Sequence, residues 1–411
     1  MHSWKKRCGI SLGHMFEFYD LAVYGAISAY VSLHFFPHDA FGEQAFYLVW
    51  VTFALRFLAR PIGGLIISSY ADRYGRKPIL IFTSGLTGIA TLIMACLPTY
   101  EQIGLLAPIL FCFMQLMQAF SVGAELPTAS AYLLENASRK EYARIGFLLG
   151  GMPFLAVLLS LIVVTSLESF LSVEHMKSFG WRIPLLMGIV NISIGYYFKL
   201  KILESSKFIK SNQIGIQRSA ALKIFFIMAP TSVIFYTNSL SSKIIISNFT
   251  DSPELLSYFS ILLNLSYFIV CCICAYCIDK WSSCEKALHY TYIFLALFGV
   301  PIYMLQDLNN IYAIAISQVC IVIFTSLSLL ACVPFYFNYT KSKNRISTIA
   351  LGHNVSSVVF GGFTPLIVTY LSQYNQMYIG VFVASSSIFY FLALFLDKYT
   401  HPASASVSTA S

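Results

Sequence analysis

Charge is what this chain has least of. Only 11% of its 411 residues are Asp, Glu, Lys or Arg, where a soluble domain carries about 25%. So few charges cannot solvate the outside of a protein of this length, which excludes a water-soluble enzyme. A hydrophobic content of 57% and an aromatic content of 16% exclude a disordered or collagen-like chain. Lipid must be the solvent for most of the surface, in keeping with a mean hydropathy of +0.72. Acidic residues are the scarcer sign, 18 against 26 basic. The basic residues stand in short clusters between apolar runs with no nucleic-acid-binding motif, so no nucleic-acid partner is expected. The ten cysteines form no framework in polar loops; most lie inside apolar runs and read as small hydrophobes. Cys271, Cys272, Cys274 and Cys277 overlap as CxxC units but have no His partner, so lipid or helix packing is expected there, not a metal.

A spanning helix needs about 20 apolar residues. Runs of that kind cover 10–36, 44–70, 79–97, 108–135, 144–168, 183–200, 222–246, 256–278, 289–305, 311–337, 347–371 and 377–396. The sequence therefore predicts an all-α membrane protein with twelve transmembrane helices. The first run is long and contains Glu17 and Asp20, which makes it a permanent helix and not a cleaved signal. If the N-terminus is cytoplasmic, 21 of the 26 Lys and Arg fall inside, against Lys177, Arg182 and Lys243 outside. That asymmetry places both termini in the cytoplasm. The longest polar interruption, 201–221, divides the chain into a six-helix bundle over 1–200 and a second over 222–396. A small, polar tail over 397–411 reads as disordered.

Charges within a bilayer cost several kcal/mol each unless paired or watered, so they mark function by default. Glu17 and Asp20 in span 1, Arg56 and Arg60 in span 2, and Glu125 in span 4 are of this kind. Helical rise puts Asp20, Arg60 and Glu125 each about 15 Å from the cytoplasmic end of its span. Glu17, Asp20 and Tyr24 share one helix face, as do Arg56 and Arg60. Three acids against two bases leave one acid without a full-time cation. The cluster reads either as a proton-coupling site or as a structural ion-pair lock. Asp20 or Glu17 is the expected proton carrier, and Glu125 the expected partner of Arg60. The second half shows only neutral polar residues within its spans, Asn238, Asn264, Gln318, His353 and Asn354. His353 reads as a polar helix-end residue or a proton relay. Gly361, Gly362 and Pro365 after it permit close packing or a broken helix.

These residues also carry a family pattern. Asp72-Arg73-Tyr74-Gly75-Arg76-Lys77 resembles the DRxGRK signature of the major facilitator superfamily. Phe16 to Asp20, Phe57 to Gly64 (with Arg60-Pro61), Gln118 to Glu125 and Gly180 to Pro184 resemble its metabolite:H+ symporters, most of all the proline/glycine-betaine type. Dicarboxylate, citrate and shikimate symporters are relatives in that family. The resemblance is dense over 10–210 and thinner beyond, with Gly352 to Leu366 the main later match. It implies a major facilitator fold of two bundles and a bacterial inner-membrane symporter working by alternating access. The proton would be the coupling ion, with no cofactor or metal; a small-molecule substrate and membrane lipid would be the partners of a monomer. It implies a proton and substrate pathway through Glu17, Asp20, Tyr24, Arg56, Arg60, Gln118, Glu125 and Asn354. Asp72, Arg73, Gly75 and Arg76 would form a cytoplasmic latch. Gln115 stands where the family usually has a cation, which keeps an uncoupled facilitator or exchanger open as the alternative. The second copy of the loop is reduced to Asp279-Lys280-Trp281-Ser282-Ser283. The tail is too short for the coiled coil of osmosensing members, so no osmotic sensing by that device is expected. An intramembrane enzyme finds no support, since no catalytic motif lies within the spans.

Overall fold

The computed structural model describes residues 4–201, 204, 210, 215–247, 253–308 and 310–400. Among the described residues every long element is a helix, and there are twelve. In the first half they are α1 (Trp4–Ala26, carried on by Ser28–Phe35), α2 (Ala45–Tyr74), α3 (Arg76–Cys96), α4 (Leu106–Glu135), α5 (Met152–Phe170) and α6 (Arg182–Leu200). The second half has α7 (Arg218–Ser247), α8 (Pro253–Trp281), α9 (Cys284–Met304), α10 (Ile311–Phe337), α11 (Arg345–Ser356, continued by Gly362–Ser372) and α12 (Gln376–Thr400). Ten of these are long and apolar enough to cross a membrane among the described residues. The search covers described residues alone, and α1 and α2, which carry Asp20, Arg56 and Arg60, are outside those ten. Most of the 201–221 segment and all of the tail beyond residue 400 lie outside the described residues.

The two halves repeat one packing scheme. α1 packs on α5 and α6, α2 on α4, and α3 on α4 and α6. In the same order α7 packs on α11 and α12, α8 on α10, and α9 on α10 and α12. The halves meet along α2 against α11 and, in the mirrored position, α8 against α5. Such repeats pack as two bundles about a shared axis, with a site between them. Outward positions such as Ile62, Ile109, Leu297 and Ile388 are exposed apolar residues, as a lipid-facing belt requires.

Two features shape the centre. Wide π turns interrupt α5 at its start (Phe147–Gly151) and α11 in its middle (Ser357–Gly361). Such turns redirect side chains, and in α11 this is where the sequence suggested a broken helix. The second feature is close contact. A Cβ on Gly195 of α6 would lie 2.6 Å from the Cα of Gly13 on α1, so only glycines let these helices touch.

Candidate functional site

The face of the molecule that carries the described ends of the chain is closed by carboxylates that cross between halves. Asp72, at the end of α2, accepts from the backbone N–H groups of Ile346 (3.1 Å) and Ser347 (2.9 Å) and from the Ser347 hydroxyl (2.8 Å). It thus caps the first turn of α11, where unpaired N–H groups and the helix dipole favour an anion. Glu135 takes Arg76 of α3 at 2.8 Å and Arg345 of α11 at 3.1 Å, joining both halves through one carboxylate. Asp279, at the end of α8, does for the other side what Asp72 does here. It accepts from the backbone of Ala143 (2.8 Å) and Arg144 (3.1 Å) and pairs with the Arg144 guanidinium (2.8 Å). The reduced second loop therefore keeps the one residue that makes this contact. Gly75, at φ +111°, makes the tight exit from α2, and a side chain there would collide with Glu204. Arg73 is exposed, with its guanidinium 5.4 Å from the Tyr74 ring, and makes no ion pair among the described residues.

Deeper in, the first bundle holds Asp20, Arg56 and Arg60 apart from one another. Asp20 is 4% exposed. Its Oδ2 accepts from the hydroxyl of Thr91 (2.5 Å) and the amide of Gln118 (3.2 Å), and Gln118 also donates to Thr91 (2.7 Å). Its Oδ1 has no partner, and the bare backbone of Gly188 on α6 makes room for it. Arg56 is buried too, yet it donates to Gln115 at 3.0 Å and lies 5.9 Å from the ring of Tyr24, whose hydroxyl bonds Thr52 at 2.9 Å. A guanidinium from α2 thus stands at position 115, where the sequence showed a missing cation. Among the described residues neither Asp20, Arg56 nor Arg60 forms an ion pair. The side chain of Glu17 lies outside the described residues.

The expected pairing of Glu125 with Arg60 is not what forms. Glu125 is fully buried and pairs with Lys199, an equally buried cation from α6, with Thr83 donating to its second oxygen. The cause is the glycine contact between α1 and α6. It lets the Lys199 chain run over Gly13, where a Cβ would lie 2.5 Å from its Cε, and puts its ammonium against Glu125 and Ser84. Lys199 therefore leaves the set of loop cations. Nor is the second half without buried charge. Lys223, 3% exposed near the start of α7, pairs with Asp397 of α12 at 2.6 Å.

Arg60, released from Glu125, lines a cavity between the halves, about 80 Å³ by the space a water-sized molecule can occupy. His14 and Phe18 of α1, Leu149, Gly150 and Pro153 from the α5 end, Thr231, Ser232, Phe235 and Tyr236 of α7, Cys332 of α10, and His353 and Ser357 of α11 share its wall. The π turns of α5 and α11 both reach it. A smaller cavity beside it is lined by Arg56, Arg60 and Phe18. Asn354 is not part of the wall. Its amide donates to the Gly123 carbonyl at 2.7 Å, pinning α11 to the tight α2–α4 contact. Cys271 is buried and Cys272 exposed, and no group of three metal-ligating side chains occurs among the described residues.

Residues 8–223, more than half of the chain, match the family described as "Sugar (and other) transporter". The chain belongs to that family, within the major facilitator superfamily. It is therefore a multi-pass membrane transporter and not an enzyme. A Staphylococcus aureus (strain MSSA476) protein named for proline/betaine transport is 28% identical to this transporter over 88% of its chain and 80% of the relative. The citrate-proton symporter of Klebsiella pneumoniae is 26% identical over 89% of this chain and 85% of its own. The solved proton:xylose symporter XylE superposes with a TM-score of 0.74, covering 96% of this transporter and 95% of XylE, at 14% identity, a likeness of fold alone.

Proposed function

We propose that this transporter is a proton-coupled symporter of a small, carboxylate-bearing metabolite, working by alternating access. One observation carries the reading: Asp20 and Arg56 are buried in the first bundle, Arg60 is half-buried beside them, and none of the three forms an ion pair among the described residues. Arg60 faces the central cavity with no carboxylate of the described residues to balance it, so an anion entering the cavity completes an unpaired charge. Asp20 has only neutral hydrogen-bond partners, an arrangement that a protonated carboxyl satisfies as readily as an ionised one. Substrate and proton would each cancel a charge that otherwise has to be carried across lipid. The names of the relatives, for proline/betaine and for citrate, share a carboxylate as the common chemical group. The test is uptake of labelled proline, glycine betaine, citrate and succinate into proteoliposomes, with and without an inward proton gradient. Accumulation of one of them only with the gradient supports symport. Equal uptake in both conditions would leave the uncoupled facilitator as the better reading.

The excess of Lys and Arg supports placing the closed face in the cytoplasm of a bacterial inner membrane. Asp72, Glu135 and Asp279 would then be the inner latch, which breaks when the cavity opens inward. Asp72→Asn removes the charge from three hydrogen bonds, each worth about 1.5–3 kcal/mol when charge-assisted. With Cys332 as the sole cysteine, its labelling by a membrane-impermeant thiol reagent in inside-out vesicles is expected to rise about tenfold in Asp72→Asn. Labelling that stays at the parental rate, or that rises only in right-side-out vesicles, would sink the latch or the orientation.

A further inference from the structure

The two carboxylates that cap a facing helix across the closed face are not equally shielded. Asp72 is buried, and so are Ile346 and Ser347, whose N–H groups it takes. Asp279 is buried too, but its cation is not: the Arg144 side chain is 46% exposed against 7% for Asp279. A pair with an exposed member is screened by water and salt, and holding it together costs rotamer freedom. Arg144 is kept in place by two further contacts. Its Nη2 donates to the Lys140 carbonyl at 3.1 Å, and its guanidinium carbon lies 5.3 Å from the centre of the Trp4 ring. Trp4 opens α1, and the same ring has the guanidinium carbon of Arg7 at 4.9 Å. Arg7, one turn along, is buried and fixed: it pairs with Glu141 at 2.9 Å and donates to the Asn136 carbonyl at 3.0 Å. Glu141 in turn closes a capping box on Ser138, in the loop that leads to Arg144.

An indole face attracts a guanidinium, and each of the two cations on this ring has a carboxylate of its own. Glu141, Arg7, Trp4, Arg144 and Asp279 therefore form one line of contacts. Its first four members belong to the first bundle, and the last, on α8, belongs to the second. Resting on the reading of Asp279 as part of the inner latch, we propose that Trp4 is a positioning residue of that latch. Its ring holds the Arg144 guanidinium against Asp279, and Arg7 holds the ring. The start of α1, the helix that carries Asp20, is thereby tied to closure of the inner face. Opening inward has to part Arg144 from Asp279, and Trp4 sets how firmly the two are held beforehand. The rival role is an anchor, since a Trp at the end of a span, here 36% exposed, suits the lipid interface. An anchor needs the amphipathic indole and has no need of Arg144.

The deciding experiment again uses the chain with Cys332 as its sole cysteine, in inside-out vesicles, and reads its labelling by a membrane-impermeant thiol reagent. Trp4→Leu and Trp4→Gln both remove the ring face, and Trp4→Phe keeps one. The two ring-free variants are expected to label about threefold faster than the parent, the size of one partly exposed cation–π contact, with Trp4→Phe within about twofold of it. Raising salt from about 0.05 to about 0.5 M is expected to speed labelling further in the ring-free variants and less than half as much in the parent. On top of Asp279→Asn, loss of the ring is expected to add little, because Trp4 acts through that pair. Parental labelling in both ring-free variants, beside a rise in Asp279→Asn, overturns the assignment and leaves the latch intact. A full further rise on top of Asp279→Asn also overturns it, by placing the effect of Trp4 elsewhere. Trp4→Phe as fast as the ring-free variants does the same, since that is how a lipid anchor behaves. No rise in Asp279→Asn removes the pair on which Trp4 would act, and if Asp72→Asn is equally silent the latch reading falls with it.

Discussion

Lys199→Met is expected to destabilise the transporter by about 3–5 kcal/mol, the typical cost of leaving one member of a buried ion pair without its partner. The substitution strands Glu125 at a place with no exposure to solvent, where the Thr83 hydroxyl is its remaining hydrogen-bond donor among the described residues. Glu125→Gln strands Lys199 instead, leaving its ammonium on Ser84. Each single variant is therefore expected to lower the thermal unfolding midpoint in detergent and the yield of folded protein. The double variant Lys199→Met/Glu125→Gln removes both charges and is expected to recover most of the loss, because buried pairs add little beyond what desolvating them costs. Transport should follow the folded yield in all three. A double variant no better than the worse single one would show that the pair does something its charges alone do not explain. Single variants within about 1 kcal/mol of the parent would show that water or another partner reaches the site.

That pair also shows where sequence reading stops. The twelve helices were legible because lipid forces about 20 apolar residues per crossing, and the runs from 79–97 to 377–396 are close to uninterrupted. The buried acids and arginines stood out for the same reason. Lys199 did not, because it lies at the end of an apolar run beside Leu200 and Lys201 and looks like a loop cation. What draws it inward is the contact of Gly195 with Gly13, a tertiary event. Its only trace in sequence is the spacing of Gly9 and Gly13, one helical turn apart on α1. His14 is a lone histidine in an apolar run and carries no signal in sequence; the cavity wall is what singles it out. Asp279 stands out less in sequence because Ser282, Ser283 and Cys284 replace the Gly75, Arg76 and Lys77 of its counterpart loop, and of the loop cations only Lys280 remains, in the place of Arg73. The carboxylate is the part that caps the facing helix, and it is the part retained. Arg56 beside Gln115 is a third case: a cation lacking in one helix is supplied by its neighbour, which no count along one helix reveals.

Asp20→Asn is expected to abolish uphill uptake while sparing exchange. Asparagine keeps the size of the side chain and an oxygen for Thr91 and Gln118, so the local hydrogen bonds survive, but it cannot take up or release a proton. A gradient of one pH unit is worth about 1.4 kcal/mol, or tenfold accumulation for one proton per solute. Two units then drive up to about a hundredfold accumulation in the parent. In Asp20→Asn the internal and external solute concentrations should come to equality whatever the gradient. Counterflow of labelled against unlabelled solute, which needs no net proton movement, should continue within a few-fold of the parent rate. Gln118→Leu serves as the companion variant, because it removes one partner from the carboxyl and leaves the acid itself; it is expected to shift the pH dependence of uptake without abolishing coupling. Asp20→Asn with full gradient-driven accumulation would move the proton step elsewhere, to Glu17 first among the span-1 acids. Loss of accumulation and counterflow together in a folded Asp20→Asn protein would make Asp20 a substrate contact, and the proton would then need another carrier.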